Sequence, residues 1–179
     1  MKVMLDPGHG GSNKGAYCAP LMERELNVLL ALVIGKHLKP EHECNFTRMD
    51  DVSLKNSHRA YMANDWEADI LISVHHNAWR TADANGFEVL YHPNGKESFV
   101  LAKSLCDTVC GKWPDIRNRG PKARRDLIVL RASLMPAILI EAGFISSVQD
   151  RNHSLLNPVQ RDMFYSVIAT SIVDVLNRP

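Results

Sequence analysis

The sequence predicts a single α/β domain in which a mostly parallel, mixed sheet of about six strands carries helices on both faces. Short apolar runs, typical of buried strands, alternate with longer stretches whose apolar residues follow helical spacing. A length of 179 residues fits one domain with one hydrophobic core. Hydrophobic residues make up 45% of the chain and charged residues 23%, as is ordinary for a globular protein.

Each predicted element has a local signal. The first strand is the apolar run that follows Lys2 and stops at Pro7, and a later strand contains the aliphatic run Ile70–Val74. The last helix begins where Asn157 and Pro158 supply a favoured cap and a favoured first residue. Such signals predict strands at 2–6, 42–47, 69–75, 86–91, 126–130 and 136–141. They predict helices at 22–39, 53–66, 96–112 and 158–177.

Composition excludes several function classes. The formal net charge of +1 gives no support for a nucleic-acid partner or for attraction to a membrane surface. No run of about 18 apolar residues occurs, so we expect no membrane insertion. The four cysteines lack the paired spacing of zinc ribbons, and we expect them to be reduced thiols rather than metal ligands. They are Cys18, Cys44, Cys106 and Cys110, of which the last two share one face of a predicted helix.

A histidine follows the first strand on the glycine-rich turn Asp6–Gly11. Open α/β sheets bind ligands beyond the carboxyl ends of their strands, which is where this turn lies. The glycines allow a sharp turn and the close approach of a ligand. His9 is therefore a candidate metal ligand or base, although a histidine in such a turn is often a plain loop residue.

A second histidine occupies an equivalent place. His75 follows the run Ile70–Val74 and closes that predicted strand. Two buried strands that each end in a histidine can bring two imidazoles to one edge of a sheet. Neutral imidazole suits Zn²⁺, which in catalytic sites takes three protein ligands and keeps a position for water. The usual third ligand beside two histidines is a carboxylate.

Two glutamates are candidates for that carboxylate. Glu23 begins the first long helix, where a negative charge suits the helix dipole, so a structural role alone explains it. Glu141 ends the buried run Ala137–Ile140, and a carboxylate in that place needs a metal, a cation or a proton as its partner. The residues by themselves favour a functional role for Glu141 and leave the role of Glu23 open.

Taken together, the motifs resemble the catalytic domain of the zinc-dependent N-acetylmuramoyl-L-alanine amidases, a group that includes bacterial autolysins, spore-lysis amidases and phage endolysins. They follow the family's order and extend over nearly the whole chain. The matching segments are Asp6–Gly11, Glu23, Thr47–Asp50, Arg59-Ala60, Ala63-Asn64, Ser73–Ala78, Gly86–Val89, Asn118–Gly120, Leu127–Arg131 and Pro136–Phe144.

The resemblance implies one zinc ion held by His9, Glu23 and His75, and a catalytic role for Glu141. One residue departs from the pattern, because His76 stands where the family more often has a small or apolar side chain. Neighbouring residues of a strand point to opposite faces, so we keep His75 as the ligand.

The implied reaction is hydrolysis of the amide bond between the lactyl group of N-acetylmuramic acid and the L-alanine of the stem peptide in bacterial peptidoglycan. Water is the nucleophile, and Glu141 takes its proton and passes it to the leaving amine. Two alternatives stay open: another zinc peptidoglycan peptidase, such as a D-alanine carboxypeptidase, and a non-catalytic wall-binding relative. Only the order of the motifs argues against the first. The presence of all four candidate site residues argues against the second.

The start of the chain bears on how such a protein would reach the wall. Because the first strand begins at Lys2, we expect no signal peptide. The resemblance then implies either a phage endolysin released from the host cytoplasm or the catalytic domain of a secreted autolysin. We expect residues 1–179 to form the zinc amidase catalytic domain, a monomer without a wall-binding module.

A basic segment, 117–125, is predicted to be a loop. A solvated surface explains its charges, and a nucleic-acid patch is disfavoured because no aromatic residues alternate with them. The resemblance favours a rim that meets carboxylates of stem peptides or anionic wall polymers. Arg131 ends the predicted strand 126–130, where it either orients the substrate or pairs with a carboxylate.

Overall fold

The computed structural model describes residues 1–178. Its strands are β1 (Lys2–Pro7), β2 (Tyr17–Cys18), β3 (Leu21–Met22), β4 (Glu43–Phe46), β5 (Ile70–Asn77), β6 (Phe87–Tyr91), β7 (Asn118–Ala123) and β8 (Ala137–Phe144). Its helices are α1 (Glu23–Leu38), α2 (Asn56–Asp65), α3 (Lys96–Lys112), α4 (Ile128–Arg131), α5 (Val148–Asp150) and α6 (Pro158–Leu176). A π-helical turn at Arg151–Leu155 connects α5 to the last helix.

The main sheet is mixed and mostly parallel, as predicted. Its six strands lie in the order β4-β1-β5-β8-β6-β7, and the only antiparallel pair within it joins β6 to β8. Strands β2 and β3 form a separate two-stranded hairpin. Helices α1, α3 and α6 pack on one face, and α2 and α4 pack on the other. Within residues 1–178, every helix is too short or too polar to span a lipid bilayer.

The central strands are apolar on both faces because helices cover both faces. Ile70 and Ile72 of β5 pack in the larger core with α1, α3 and α6, whereas Leu71 packs in the smaller core beside α2 and α4. Burial of each such side chain stabilises the fold by about 1.5–3 kcal/mol. The two cores clamp β5 between them, which fixes the strand that carries His75.

Two predictions are wrong: the segment 126–130 does not form a strand, and the segment 117–125 is not a loop throughout. Residues 126–130 contain α4 rather than a strand, because Val129 and Leu130 are buried while Ile128 is exposed, which is not the alternation of a strand. The sixth strand is β7, which lies inside the predicted loop 117–125. It is an edge strand whose polar sequence carries no burial pattern, and edge strands tolerate both its charges and Pro121. Arg131 consequently ends a helix and not a strand.

Two strands also run further than predicted. His75 and Glu141 do not close their strands, since β5 continues to Asn77 and β8 continues to Phe144. The pairing persists through the polar residues, with His75 opposite Glu141 and a register shift before Asn77. Both candidate site residues therefore stand on paired central strands, which hold them more rigidly than a loop would.

Candidate metal centre

Three predicted ligands meet at the carboxyl edge of the sheet. The Glu23 Oε1 atom lies 3.0 Å from His9 Nε2 and 2.9 Å from His75 Nδ1. These ligand atoms all lie within 4.8 Å of one another. The three side chains come from different elements, namely the turn after β1, the first residue of α1 and strand β5. The structure thus brings together residues that are far apart in the sequence.

The turn after β1 holds His9 in an unusual backbone conformation. His9 has a φ of 61°, in the left-handed region, which costs a non-glycine residue about 1–2 kcal/mol. Its carbonyl oxygen accepts a 2.6 Å hydrogen bond from Arg59, and Arg48 donates a 2.6 Å hydrogen bond to the carbonyl of Gly8. These two buried guanidinium groups offset the cost by fixing successive carbonyls of the turn.

A buried aspartate anchors the same turn from below. Asp6 Oδ1 accepts hydrogen bonds of 2.7 Å from Arg59 and 2.6 Å from Thr47, and Oδ2 accepts one of 2.6 Å from Ser73. Burial alone would raise the pKa of Asp6, but Arg59 and these hydrogen bonds lower it overall. The carboxylate is therefore ionised, and it ties β1, β5 and α2 together directly beneath the candidate ligands.

The donor atoms fit a divalent cation. Asn13 Oδ1 accepts a hydrogen bond from the amide of Gly15, which identifies it as the oxygen, so His9 must donate to it from Nδ1 at 3.0 Å. In a neutral His9 ring, the Nε2 lone pair then faces the carboxylate of Glu23. Two acceptors at 3.0 Å repel each other unless a positive charge lies between them, and a proton or a metal ion supplies that charge.

The negative charge of Glu23 also suits a divalent cation. Burial alone would raise the pKa of Glu23, but the two neighbouring imidazoles lower it far below its usual range, so the carboxylate is ionised. Its second oxygen, Oε2, accepts a 2.7 Å hydrogen bond from the amide of Ala16, which orients the group. Two imidazole nitrogens and one oriented carboxylate oxygen form a donor set that Zn²⁺ commonly takes.

Glycine is required beside these ligands. A Cβ atom at Gly8 would lie 2.7 Å from His75 Nδ1 and closer still to Cε1 and Nε2 of the same ring. A Cβ atom at Gly15, whose φ is 66°, would meet the carboxylate of Glu23. The hydrogen atoms of these glycines leave the room that the imidazole and the carboxylate occupy.

Glu141 lies on the strand next to His75. The two residues are paired in the β5–β8 register, and Glu88 of β6 is the neighbour of Glu141 on its other side. Glu88 is compensated, since it accepts hydrogen bonds of 2.9 Å from Asn77 and 2.6 Å from Arg119. The Oε2 atom of Glu141 is buried and has no hydrogen-bond partner within residues 1–178.

The electrostatics of Glu141 follow from this isolation. Burial raises its pKa well above the ordinary value, the charges of Glu23 and Glu88 raise it further, and Arg124 opposes the rise. A buried carboxyl group with a free oxygen beside a candidate metal centre is suited to hold and release a proton.

The side chain of His76 points to the opposite face from His75, as strand alternation predicts. Tyr165 donates a 2.9 Å hydrogen bond to His76 Nε2, and His76 Nδ1 donates a 2.8 Å hydrogen bond to Asn27 Oδ1. Asn27 in turn donates from Nδ2 to the carbonyl of Gly8 at 3.2 Å. Burial lowers the pKa of His76 to about 3, so the ring is neutral and serves as a link in a chain of hydrogen bonds from α6 to the turn.

Sequence reasoning missed two members of that chain. Asn27 lies four residues after Glu23 and so on the same face of α1, which is a signal that could have found it. Tyr165 carries no such signal, because it contacts His76 across 89 positions of sequence.

A cleft of about 430 Å³ opens beside the candidate ligands. Its lining includes His9 and His75, and its walls include Ser53–Asn56 at the start of α2, Leu139 of β8 and Leu127–Val129 at α4. The wall at Ser53–Asn56 was not predicted, because polar residues before a helix are common without function. The cleft gives an extended ligand access to the candidate metal centre.

The four cysteines are free thiols, and within residues 1–178 none of them belongs to the His9–Glu23–His75 cluster. Burial raises the pKa of Cys106 to about 12 and that of Cys110 to about 11. The Cys18 sulfur accepts a 2.9 Å hydrogen bond from Arg151.

Fold and site together define an α/β domain with a candidate histidine–glutamate–histidine metal centre at the carboxyl edge of its sheet and a buried glutamate beside it. Comparison with known proteins gives the family. Residues 3–174 match the model of the N-acetylmuramoyl-L-alanine amidase family, and the chain belongs to that family, as the sequence motifs predicted.

Individual relatives agree with this assignment. The N-acetylmuramoyl-L-alanine amidase CwlM of Bacillus licheniformis is 33% identical over 153 residues, which cover 84% of this chain and 59% of CwlM. The sporulation-specific N-acetylmuramoyl-L-alanine amidase of Bacillus subtilis is 34% identical over 155 residues, with coverages of 85% and 59%. The chain therefore spans about six-tenths of the length of these curated relatives.

Solved structures share the fold. The N-acetylmuramoyl-L-alanine amidase of Clostridium difficile 630 superimposes with a TM-score of 0.89 at 31% identity, over 98% of this chain and 96% of that one. The amidase AmiC2 of Nostoc punctiforme gives a TM-score of 0.90 at 29% identity, over 99% and 98% of the two chains. The predicted fold class is thus confirmed both by the structure and by its likeness to amidase domains.

Proposed function

We propose that this chain hydrolyses the amide bond between N-acetylmuramic acid and the L-alanine of the stem peptide, and thereby degrades bacterial cell-wall peptidoglycan. Membership of the amidase family supports this reaction class. The observation that carries the proposal is the conjunction of three converging candidate ligands with an unpartnered buried carboxyl group on the adjacent strand. Residues 1–179 would act as the catalytic domain.

In this proposal His9, Glu23 and His75 hold one zinc ion. When bound, the ion would lower the pKa of a water molecule toward about 7 and polarise a neighbouring carbonyl oxygen. The hydrogen bond from His9 to Asn13 and the one from Ala16 to Glu23 hold two of the donors in place before any ion arrives.

Glu141 acts as the general base and then as the general acid. Its free Oε2 atom takes a proton from the attacking water while the water oxygen bonds to the amide carbon. When the carbon–nitrogen bond breaks, the same atom returns the proton to the departing amine of L-alanine. A raised pKa suits this cycle, because a carboxyl group of ordinary pKa is almost fully ionised near neutral pH and takes up a proton less readily.

The shape of the cleft suits an extended substrate. A stem peptide and a glycan strand need an open surface rather than a closed pocket, and the cleft extends from the metal centre between α2 and α4. The scissile carbonyl would lie above His75 and Glu141, with the rest of the substrate along the walls. Another zinc peptidase of peptidoglycan could use the same groups, so the products decide between them.

Mass spectrometry of digested peptidoglycan tests this function. We expect intact stem peptides with a free amino group on L-alanine, and none shortened at the D-alanine end. Products shortened at D-alanine instead would overturn the amidase assignment in favour of a carboxypeptidase.

A matched pair of variants tests the role of Glu141. Glu141→Gln keeps the shape of the side chain and removes the proton acceptor, so we expect a loss of activity of about 10²–10⁴-fold with unchanged zinc content. Glu97→Gln, at an exposed position of α3, should retain full activity. Near-normal activity of Glu141→Gln would show that another group moves the proton.

A further inference from the structure

A segment rich in basic residues borders the cleft. The segment Arg117–Arg131, which contains β7 and α4, holds six of the chain's 21 basic residues and one of its 20 acidic residues. We call this segment the basic wall. Because the whole chain has a net charge of only +1, the remainder is acidic on balance and the wall is a local feature.

The basic wall borders the candidate active site. Its residues Leu127–Val129 line the cleft together with His9 and His75. The preceding residue pair, Arg124 and Arg125, is anchored to the sheet because the amide of Arg124 donates a 2.9 Å hydrogen bond to the carbonyl of Tyr91. Lys122 pairs with Leu90 of β6, and Leu90 pairs with Leu139 of β8, which lines the cleft, so Lys122 lies on the sheet two strands away from the cleft lining.

Some of these charges are already neutralised and others are not. Arg119 donates to Glu88 at 2.6 Å, and Arg124 forms a two-pronged pair with Asp126 at 2.6 and 2.8 Å. In contrast, the exposed side chains of Lys122 and Arg125 have no acidic partner within residues 1–178. On the facing side of the cleft, the exposed Lys55 also lacks one within the same residues.

The carboxylates of the site leave these cations free. In the proposed function Glu23 holds the zinc ion, and Glu88 is already paired with Arg119. Lys122 and Arg125 therefore remain available to a carboxylate that the substrate carries. They favour a negatively charged substrate, whereas a neutral substrate gains nothing from them.

We infer that the basic wall, through Lys122 and Arg125, binds a carboxylate of the stem peptide, so that the chain prefers stems whose residue after L-alanine has a free carboxylate over stems in which that carboxylate is amidated. The inference rests on the proposed function, since it assumes that the stem peptide enters this cleft. It adds a determinant of substrate choice that the reaction itself does not require.

The test uses two synthetic muropeptides that differ only in whether the carboxylate after L-alanine is free or amidated. For the unmodified protein we expect kcat/KM to be about tenfold higher on the free acid than on the amidated muropeptide. We expect this difference to come from a lower KM, because exposed charge pairs affect binding, and only modestly. In the double variant Lys122→Gln/Arg125→Gln the preference should fall to about one, with kcat retained. The control Lys36→Gln, on an exposed position of α1 across the sheet, should keep the preference.

Binding separates this inference from the proposed function. Calorimetry with Glu141→Gln measures the affinity for both muropeptides without cleavage. Tighter binding of the free acid, weakened by the double substitution, supports the basic wall even if the cleaved bond proves to be a different one. Equal affinity for the two muropeptides, or a preference that survives the double substitution, overturns it. Failure of the unmodified protein to cut at L-alanine overturns the proposed function instead.

Discussion

Substitution of Gly8 by alanine tests how tightly the turn and the candidate ligands are packed. Gly8 does not have a positive φ, so alanine can adopt its backbone conformation and the effect is purely steric. The added methyl carbon would lie 2.7 Å from His75 Nδ1 and nearer to two other ring atoms. The ring must therefore move by about 1 Å or more to restore an ordinary contact.

The size of the effect follows from that displacement. A shift of about 1 Å in a positioned group can cost roughly 100-fold in kcat/KM, which corresponds to about 2.7 kcal/mol. Overpacking of a closely packed site costs a further 1–3 kcal/mol or so of folding free energy. For a domain of this size we expect Tm to fall by about 2–12 °C. Zinc affinity should fall as well, because His75 Nδ1 leaves its place beside Glu23.

The control for this experiment is Gly111→Ala. A Cβ atom at Gly111 has no atom within 4 Å, and the residue lies near the end of α3. Alanine favours a helix over glycine by up to about 1 kcal/mol, so Tm should rise by a few degrees with unchanged activity. Steady-state kinetics on purified peptidoglycan and chelator competition for zinc measure both variants. Wild-type activity and zinc affinity in Gly8→Ala would refute the proposed packing of His75.

Three further predictions concern buried groups. Tyr165→Phe removes the donor to a buried imidazole, so urea unfolding should show a loss of about 1–3 kcal/mol, and a loss below 0.5 kcal/mol or so would contradict the hydrogen-bond chain. Asp6→Asn leaves Arg59 buried without its counter-charge and should cost about 3–5 kcal/mol. Because the folded-state pKa of Asp6 lies below the ordinary 3.8, its stabilisation is present above that pH and is lost as the pH falls below it; the variant should lack this acid sensitivity in thermal melts. Cys106, with a pKa of about 12, should resist iodoacetamide at pH 8 in the folded protein and react after denaturation.

The parts of the fold that were predicted are those in which burial determines the sequence. Strands β1, β5 and β8 are covered on both faces, so they appear as continuous apolar runs, and each run is followed closely by a candidate site residue. The edge strand β7 has no such run, because one side of it is open to solvent. Its sequence also shows no alternation of apolar and polar residues. The apolar residues 127–130 were mistaken for a strand because a short apolar run is compatible with either structure.

The candidate site was likewise predicted only in part. His9, His75 and Glu141 could be identified as candidates because strand topology brings strand ends to one edge of the sheet. Glu23 lies on a helix with an ordinary reason for a first-turn glutamate, so only the family resemblance selected it. The links from His76 to Asn27 and Tyr165 span 49 and 89 positions of sequence and depend on how α1 and α6 pack, which local patterns do not encode.

Anomalous diffraction at the zinc absorption edge, from crystals of this chain grown with one equivalent of Zn²⁺, measures the proposed metal centre directly. We expect a single strong peak between His9 Nε2, Glu23 Oε1 and His75 Nδ1, at about 2.0–2.2 Å from each. A peak at the cysteines or at surface histidines, with none among these three side chains, would contradict the metal centre from which the proposed hydrolysis was derived.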